Sequence, residues 1–154
     1  MLLLWRIADF GRAMHRQMRF GELSRAPLRL LRVEWKGDVA ECDWLARPAD
    51  EWDRDLPRDK SERNFSGQAL QDAIAVRELL FDALPGVDAA SLRVFRQTAG
   101  GTHDLIITGA VTRGGTVPRN VPSTAMRAKL LGFQFWLEDG ILEAMQSEEC
   151  AMSF

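Results

Sequence analysis

Apolar and polar positions repeat with two different periods along this chain, and the switches between them divide it into helices and hairpins. The clearest helical stretch is 66–84, SGQALQDAIAVRELLFDAL. At about 100° per residue, Leu70, Ala73, Ile74, Leu80, Phe81 and Leu84 share one face, and Gln68, Gln71, Asp72, Glu78 and Asp82 lie opposite. Ser66 is placed to cap the start, its hydroxyl accepting from first-turn N–H groups. Pro85-Gly86 ends the helix, because proline disfavours the α conformation in the residue before it. A one-sided helix of this kind covers a sheet or another helix.

Period-two stretches lie on both sides of it. Segments 28–35 and 39–46 flank Gly37-Asp38, a two-residue hairpin turn. That register sets Trp35 opposite Ala40, Val33 opposite Cys42 and Leu31 opposite Trp44 on one face. The other face sets Arg32 opposite Asp43, which is favourable, and Glu34 opposite Glu41, which is not. A second hairpin, 91–113, turns at Gly100-Gly101 and fills its inner face with Leu92, Val94, Leu105, Ile107 and Val111. A third, 133–147, turns at Asp139-Gly140. Its inner face takes Leu131, Phe133, Phe135 and Leu137, and its outer face takes Leu130, Trp136, Ile141 and Met145. Ser123 or Thr124 caps a short helix through Leu131 before it. The competing reading is one helix from Ser123 to Asp139 with Gly140 as its stop; the alternation from Leu131 to Leu137 favours the strand.

The N-terminal segment, 1–20, has helical spacing. Leu3, Leu4, Ile7, Phe10, Met14 and Met18 share a face, and Arg12, Arg16 and Arg19 sit opposite. It reads as a helix docked on the body, with a membrane-surface helix as the alternative. Residues 47–65 are charged and proline-punctuated and read as a loop, with Trp52 pinning it to the core. The expected fold is a single α+β domain: an antiparallel sheet of about six strands built from hairpins, with the central amphipathic helix and the N-terminal helix packed on it.

Composition narrows the function classes. A chain of 154 residues is long enough for one domain with a proper core. Net charge is only −2, so no nucleic-acid partner is expected. Residues 1–36 hold eight cations against three anions, a net +5 that leaves −7 for the remainder, a polarity suited to subunit contacts. The N-terminal segment is too short and too charged to span a membrane and lacks the charged region of a secretory signal. Cys42 and Cys150 have no metal-ligand spacing, and with no export signal they point to a reducing, cytoplasmic setting.

No catalytic constellation emerges. His15 and His103 lie near no serine or cysteine nucleophile motif, Cys42 falls on a buried strand face, and no glycine-rich turn matches a dinucleotide or nucleotide fingerprint. No cofactor and no metal are expected. Glu34, Glu41 and Asp43 offer hard-metal oxygens, but with Arg32 and Lys36 beside them they read as a solvated face. The segment 114–123, GGTVPRNVPS, carries Arg119 with Arg113 and Arg127 beside it; backbone of this kind cradles phosphate, yet it lacks P-loop spacing and reads as a connector. Arg77 interrupts the apolar stripe of the central helix. A guanidinium stays charged, so its head needs a carboxylate, carbonyls, water or a bound anion. Arg77, Arg113 and Arg119 are therefore the candidate ligand-binding residues. The leading expectation is a non-enzymatic intracellular interaction module that self-associates as a homodimer, the outer face of the third hairpin being covered either by a second subunit or by the N-terminal helix. The alternative is a small enzyme or ligand sensor that binds a small anion through Arg77 between the central helix and the sheet.

Overall fold

The computed structural model describes residues 8–12, 28–48 and 55–145. The fold is α+β. Strand β1 (Arg29–Lys36) and strand β2 (Val39–Leu45) form the first hairpin, helix α1 (Arg58–Ala83) crosses the sheet, and β3 (Ala89–Gln97) with β4 (His103–Thr112) forms the second hairpin. Helix α2 (Thr124–Leu131) then leads into β5 (Phe133–Gln134), and β6 (Trp136–Glu138) pairs with β7 (Ile141–Glu143). The main sheet has five strands in the order β1-β2-β3-β4-β5, and β6-β7 is a separate two-stranded sheet.

The main sheet is mixed rather than antiparallel throughout. β2 and β3 run parallel, from Val39 opposite Ala89 to Leu45 opposite Phe95. Hairpin periodicity specifies each antiparallel pair but not how the two hairpins join. The helix between them carries the chain back to the end where β2 began, so β3 must enter in the same direction.

The first hairpin follows its expected register from Lys36 opposite Val39 to Arg32 opposite Asp43, with Gly37 in the positive-φ conformation that its turn needs. It departs at Leu31. A bulge between Leu30 and Arg32 sets Leu30, not Leu31, opposite Trp44 and leaves Leu31 exposed. The inner residues of the second hairpin are buried as expected, and an irregularity after Val94 brings Phe95 opposite Leu105.

Helix α1 begins at Arg58, eight residues before the expected start at Ser66. Its N-cap is Pro57, whose carbonyl accepts from Lys60 and Ser61 N–H groups. The charged first turns hold through the pairs Arg58–Glu62 (3.2 Å) and Asp59–Arg63 (2.7 Å), each four residues apart. Ser66 therefore caps nothing. It is buried inside the helix, and its hydroxyl accepts from the Leu142 N–H at 2.9 Å. Gln68 and Asp72, on the face predicted polar, are buried as well. Trp52 lies outside the described residues.

At the N-terminus, residues 8–12 are helical and Phe10 is fully buried in the core, while Asp9 and Arg12 pair at the surface. The other apolar positions of the expected 1–20 helix lie outside the described residues. The core sits between α1 and the sheet face carrying Cys42, Trp44, Leu92, Val94 and Val111. Among the described residues, no helix is long and apolar enough to cross a membrane.

Helix α2 is capped as its sequence predicts. Ser123 Oγ accepts from the Met126 N–H at 3.3 Å, and Gly132 closes the helix with φ +109°. A Cβ at Gly132 would stand 2.5 Å from the Ala110 carbonyl oxygen, so only glycine lets the chain turn this close to β4. Phe133 then lies across Gly109, where an added Cβ would meet the ring at 2.6 Å. The third hairpin is shorter than 133–147. Phe133 and Gln134 join β4 in the main sheet, and the hairpin proper is 136–143. The chain leaves the main sheet at Phe135, so the inner alternation does not continue. Leu142 takes the buried place, and its partner Leu137 is exposed.

Candidate functional site

The three arginines singled out by sequence fall in one region but do different things. Arg77 is 3% exposed. Its Nη2 donates to the Thr112 carbonyl at 2.6 Å and the Gly115 carbonyl at 2.9 Å, and its Nη1 to Glu78 Oε1 at 2.6 Å. It thus ties the middle of α1 to the end of β4. Arg113 reaches the C-terminal end of the same helix. Its Nη1 donates to Phe81 O at 2.9 Å, its Nη2 to Leu84 O at 2.8 Å and Val87 O at 2.7 Å, and its Nε to Val87 O at 3.0 Å. The Phe81 ring lies between the two, 5.3 Å from Arg77 Cζ and 5.0 Å from Arg113 Cζ. The structure therefore brings Arg77 and Arg113 together around one ring, with most of their donors aimed at protein carbonyls and one at the Glu78 carboxylate. Arg119 lies exposed in the loop that follows.

The outer face of the sheet carries a row of ions. Arg93 holds Asp43 as a fork, Nε to Oδ1 at 3.0 Å and Nη2 to Oδ2 at 2.6 Å. Arg32 adds Nε to Asp43 Oδ2 at 3.2 Å and sets Nη1 3.0 Å from both Glu34 and Glu41. The unfavourable Glu34–Glu41 pair is thereby bridged by a cation. A recess of about 320 Å³ lies beside this row, lined by Glu34, Lys36, Val39 and Glu41. Among the described residues, no three His, Cys, Asp or Glu side chains are grouped to hold a metal.

A further polar group is buried under α1. Arg47 Nε stands 2.9 Å from Asp72 Oδ2, both side chains almost wholly buried, and Gln68 Nε2 donates to Asp72 Oδ1 at 2.9 Å. Burial pushes the Asp72 carboxyl up to about 6, against the pull of Arg47 and Gln68. Burial likewise pushes the Cys42 thiol far above its ordinary range, with Asp43 adding to it, so the thiol carries no nucleophilic character. His103 is exposed, its ring 6.5 Å from that of Phe95. Cys150 and His15 lie outside the described residues.

The remaining feature is apolar and exposed. Along 126–137, Met126 is 52% exposed, Leu130 50%, Trp136 57% and Leu137 38%. Helix α2 turns Ala128 and Leu131 inward. Met126 and Leu130, four residues apart, form a stripe on the opposite side, flanked by the exposed Arg127 and Lys129. In the hairpin, Trp136 and Ile141 share the outer face with Glu138 and Glu143. Both elements lie on one flank of the molecule: α2 feeds the edge strand β5, and the chain after β7 returns to β4 through Met145 N–H to Leu105 O at 2.8 Å. Leu130 and Trp136 were legible as outer apolar positions. Met126 was missed, although its spacing to Leu130, opposite Ala128 and Leu131, carries the signal. Comparison with protein-family models, with curated proteins and with solved structures gave no match.

Proposed function

We propose that this protein is a non-enzymatic interaction module whose working surface is the flank formed by α2 and the β6-β7 hairpin. The observation that carries this reading is the exposure of Met126, Leu130 and Trp136 within eleven consecutive residues. A tryptophan and two aliphatic side chains held in water this close together lose contact area and solvation free energy that a bound polypeptide would recover. Large aromatic side chains in such settings are the residues on which protein contacts concentrate. Cysteine usage, two residues with no framework spacing, supports a reducing, cytoplasmic setting for this work.

The test is site-specific photocrosslinking in the source cell. A photoreactive phenylalanine analogue replaces Trp136 in one variant and the exposed Lys36, on the opposite edge strand β1, in another. Polypeptide adducts at position 136 and none at position 36 are expected. Equal or absent adducts at both positions overturn the reading.

A further inference from the structure

We infer that the occupant of this flank is a second copy of the same chain, docked about a two-fold axis so that α2 of each copy lies on the hairpin of the other. The inference rests on the interaction reading above and adds to it the identity and geometry of the partner. Its basis is charge. The apolar stripe on α2, Met126 and Leu130, is bordered by the cations Arg127 and Lys129. The apolar pair on the hairpin, Trp136 and Ile141, is bordered by the anions Glu138 and Glu143, with Asp139 exposed at the turn. Each half of the flank is thus the electrostatic counterpart of the other half.

A surface whose two halves complement one another is what a two-fold contact requires, because every contact in it occurs twice with the roles exchanged. A copy turned by half a revolution sets its carboxylates against Arg127 and Lys129 while its own cations meet Glu138 and Glu143. The apolar stripes then meet each other in the centre and the ion pairs fall at the rim, the arrangement of a stable protein interface. Stacking two copies in the same orientation would leave one basic and one acidic half unmatched. Like charges brought together in any other register would oppose the contact. The edge strand β5 is only two residues long, so the contact is made by side chains of the flank and does not need strand addition.

The experiment uses the full chain and charge exchange at exposed positions, of which Lys129 touches a core residue, its Nζ 5.3 Å from the Phe135 ring. One variant carries Arg127→Glu with Lys129→Glu, the other Glu138→Lys with Glu143→Lys. Sedimentation equilibrium of the parent across the micromolar to millimolar range should give the dimer mass. Each variant alone should give the monomer mass, since both of its contacts oppose like charges. An equimolar mixture should recover the dimer mass, because the mixed pair matches one exchanged contact and keeps one native contact. Melting curves for both variants check that each is folded; if a double exchange unfolds the chain, the single changes Arg127→Glu and Glu138→Lys are used in the same way. A parent that stays monomeric overturns the inference, and Trp136 adducts to other polypeptides in that case leave the interaction reading standing. A dimer indifferent to both exchanges also overturns it, by locating the contact elsewhere.

Discussion

Replacing Arg113 by alanine should destabilise the fold by about 2 kcal/mol. A helix leaves its last four carbonyls without intrahelical donors. Helix α1 has no basic residue in its last turn, and Pro85 follows directly on its C-cap Leu84. The missing donors come from a residue far away in sequence: Arg113 serves the carbonyls of Phe81, Leu84 and Val87 through four contacts of 2.7–3.0 Å. Those three residues are buried, while Arg113 itself is exposed, so the loss is set by the carbonyls that water reaches only from the Arg113 side. The Leu84 carbonyl keeps the Val87 N–H, so two carbonyls, those of Phe81 and Val87, lose their donor, and at roughly 1 kcal/mol each they amount to about 2 kcal/mol. The cation at the negative end of the helix adds about 0.3–1 kcal/mol. For a chain of this size the melting temperature should fall by roughly 4–8 °C. Arg113→Lys separates the two contributions: an ammonium keeps the charge but cannot reach three diverging carbonyls, so about half the loss should remain. Urea unfolding followed by circular dichroism measures both variants, and hydrogen exchange at the Leu84 amide, which donates to Leu80 O, locates the effect. An alanine variant within about 0.5 kcal/mol of the parent would refute the assignment of Arg113 as the helix stop.

Arg77→Met should lower stability by about 1 kcal/mol, for the Gly115 carbonyl that loses its donor while the Thr112 carbonyl keeps the Gly115 N–H, and Arg77→Glu should cost more because it turns a carboxylate toward both; a methionine variant that melts with the parent would contradict this. Asp72 supplies a pH test. Its carboxyl rises from 3.8 to about 6 on folding, so between those values the folded chain holds a proton that the unfolded chain has released. This contribution is fully present below about pH 4 and is lost as pH rises through about 6, up to about 3 kcal/mol in all. Asp72→Asn lacks the titration, so the parent should lose ground to that variant by up to this amount between pH 4 and pH 7 in urea titrations. A difference that stays constant, or moves the other way, would show that Arg47 outweighs burial.

Local pattern was enough to find most elements and too little to join them. Hydrophobic periodicity located both long hairpins and the central helix, because a two-residue turn and a 3.6-residue stripe are written into neighbouring side chains. The start of α1 was misplaced because Ser66 looks like a cap, while the i,i+4 pairs Arg58–Glu62 and Asp59–Arg63 look like loop charge until they are read with helical spacing. Gln68 and Asp72 looked solvated, yet Arg47 arrives from the end of β2 to meet Asp72, a contact between residues far apart in sequence. The parallel β2-β3 junction and the Leu31 bulge depend on how segments pack, not on their own composition. The candidate flank was half legible. Leu130 and Trp136 follow from alternation, and Leu137 does share the inner face with Leu142; its partial exposure follows from the break at Phe135, which has no local signature.

Three arginines do the same kind of work at three points of one helix. Arg47, just past β2, meets Asp72. Arg77 meets the end of β4, and Arg113, from that same end, closes the helix C-terminus. Apolar contact holds α1 against the sheet but is non-directional, so it leaves the helix free to slide or rotate. Directional donors at fixed points remove that freedom, and their targets, a carboxylate and main-chain carbonyls, cannot be supplied by any other register. The polar groups under α1 are thereby committed to positioning it. The flank at 126–143 stands in contrast: Met126, Leu130 and Trp136 are half exposed or more, and the charges beside them border apolar surface rather than cap backbone. Anchoring and recognition are therefore carried by different residues. Charge exchange at Arg127, Lys129, Glu138 and Glu143 should alter association while leaving the melting temperature of the separated chain near that of the parent, whereas changes at Arg77 or Arg113 should do the reverse.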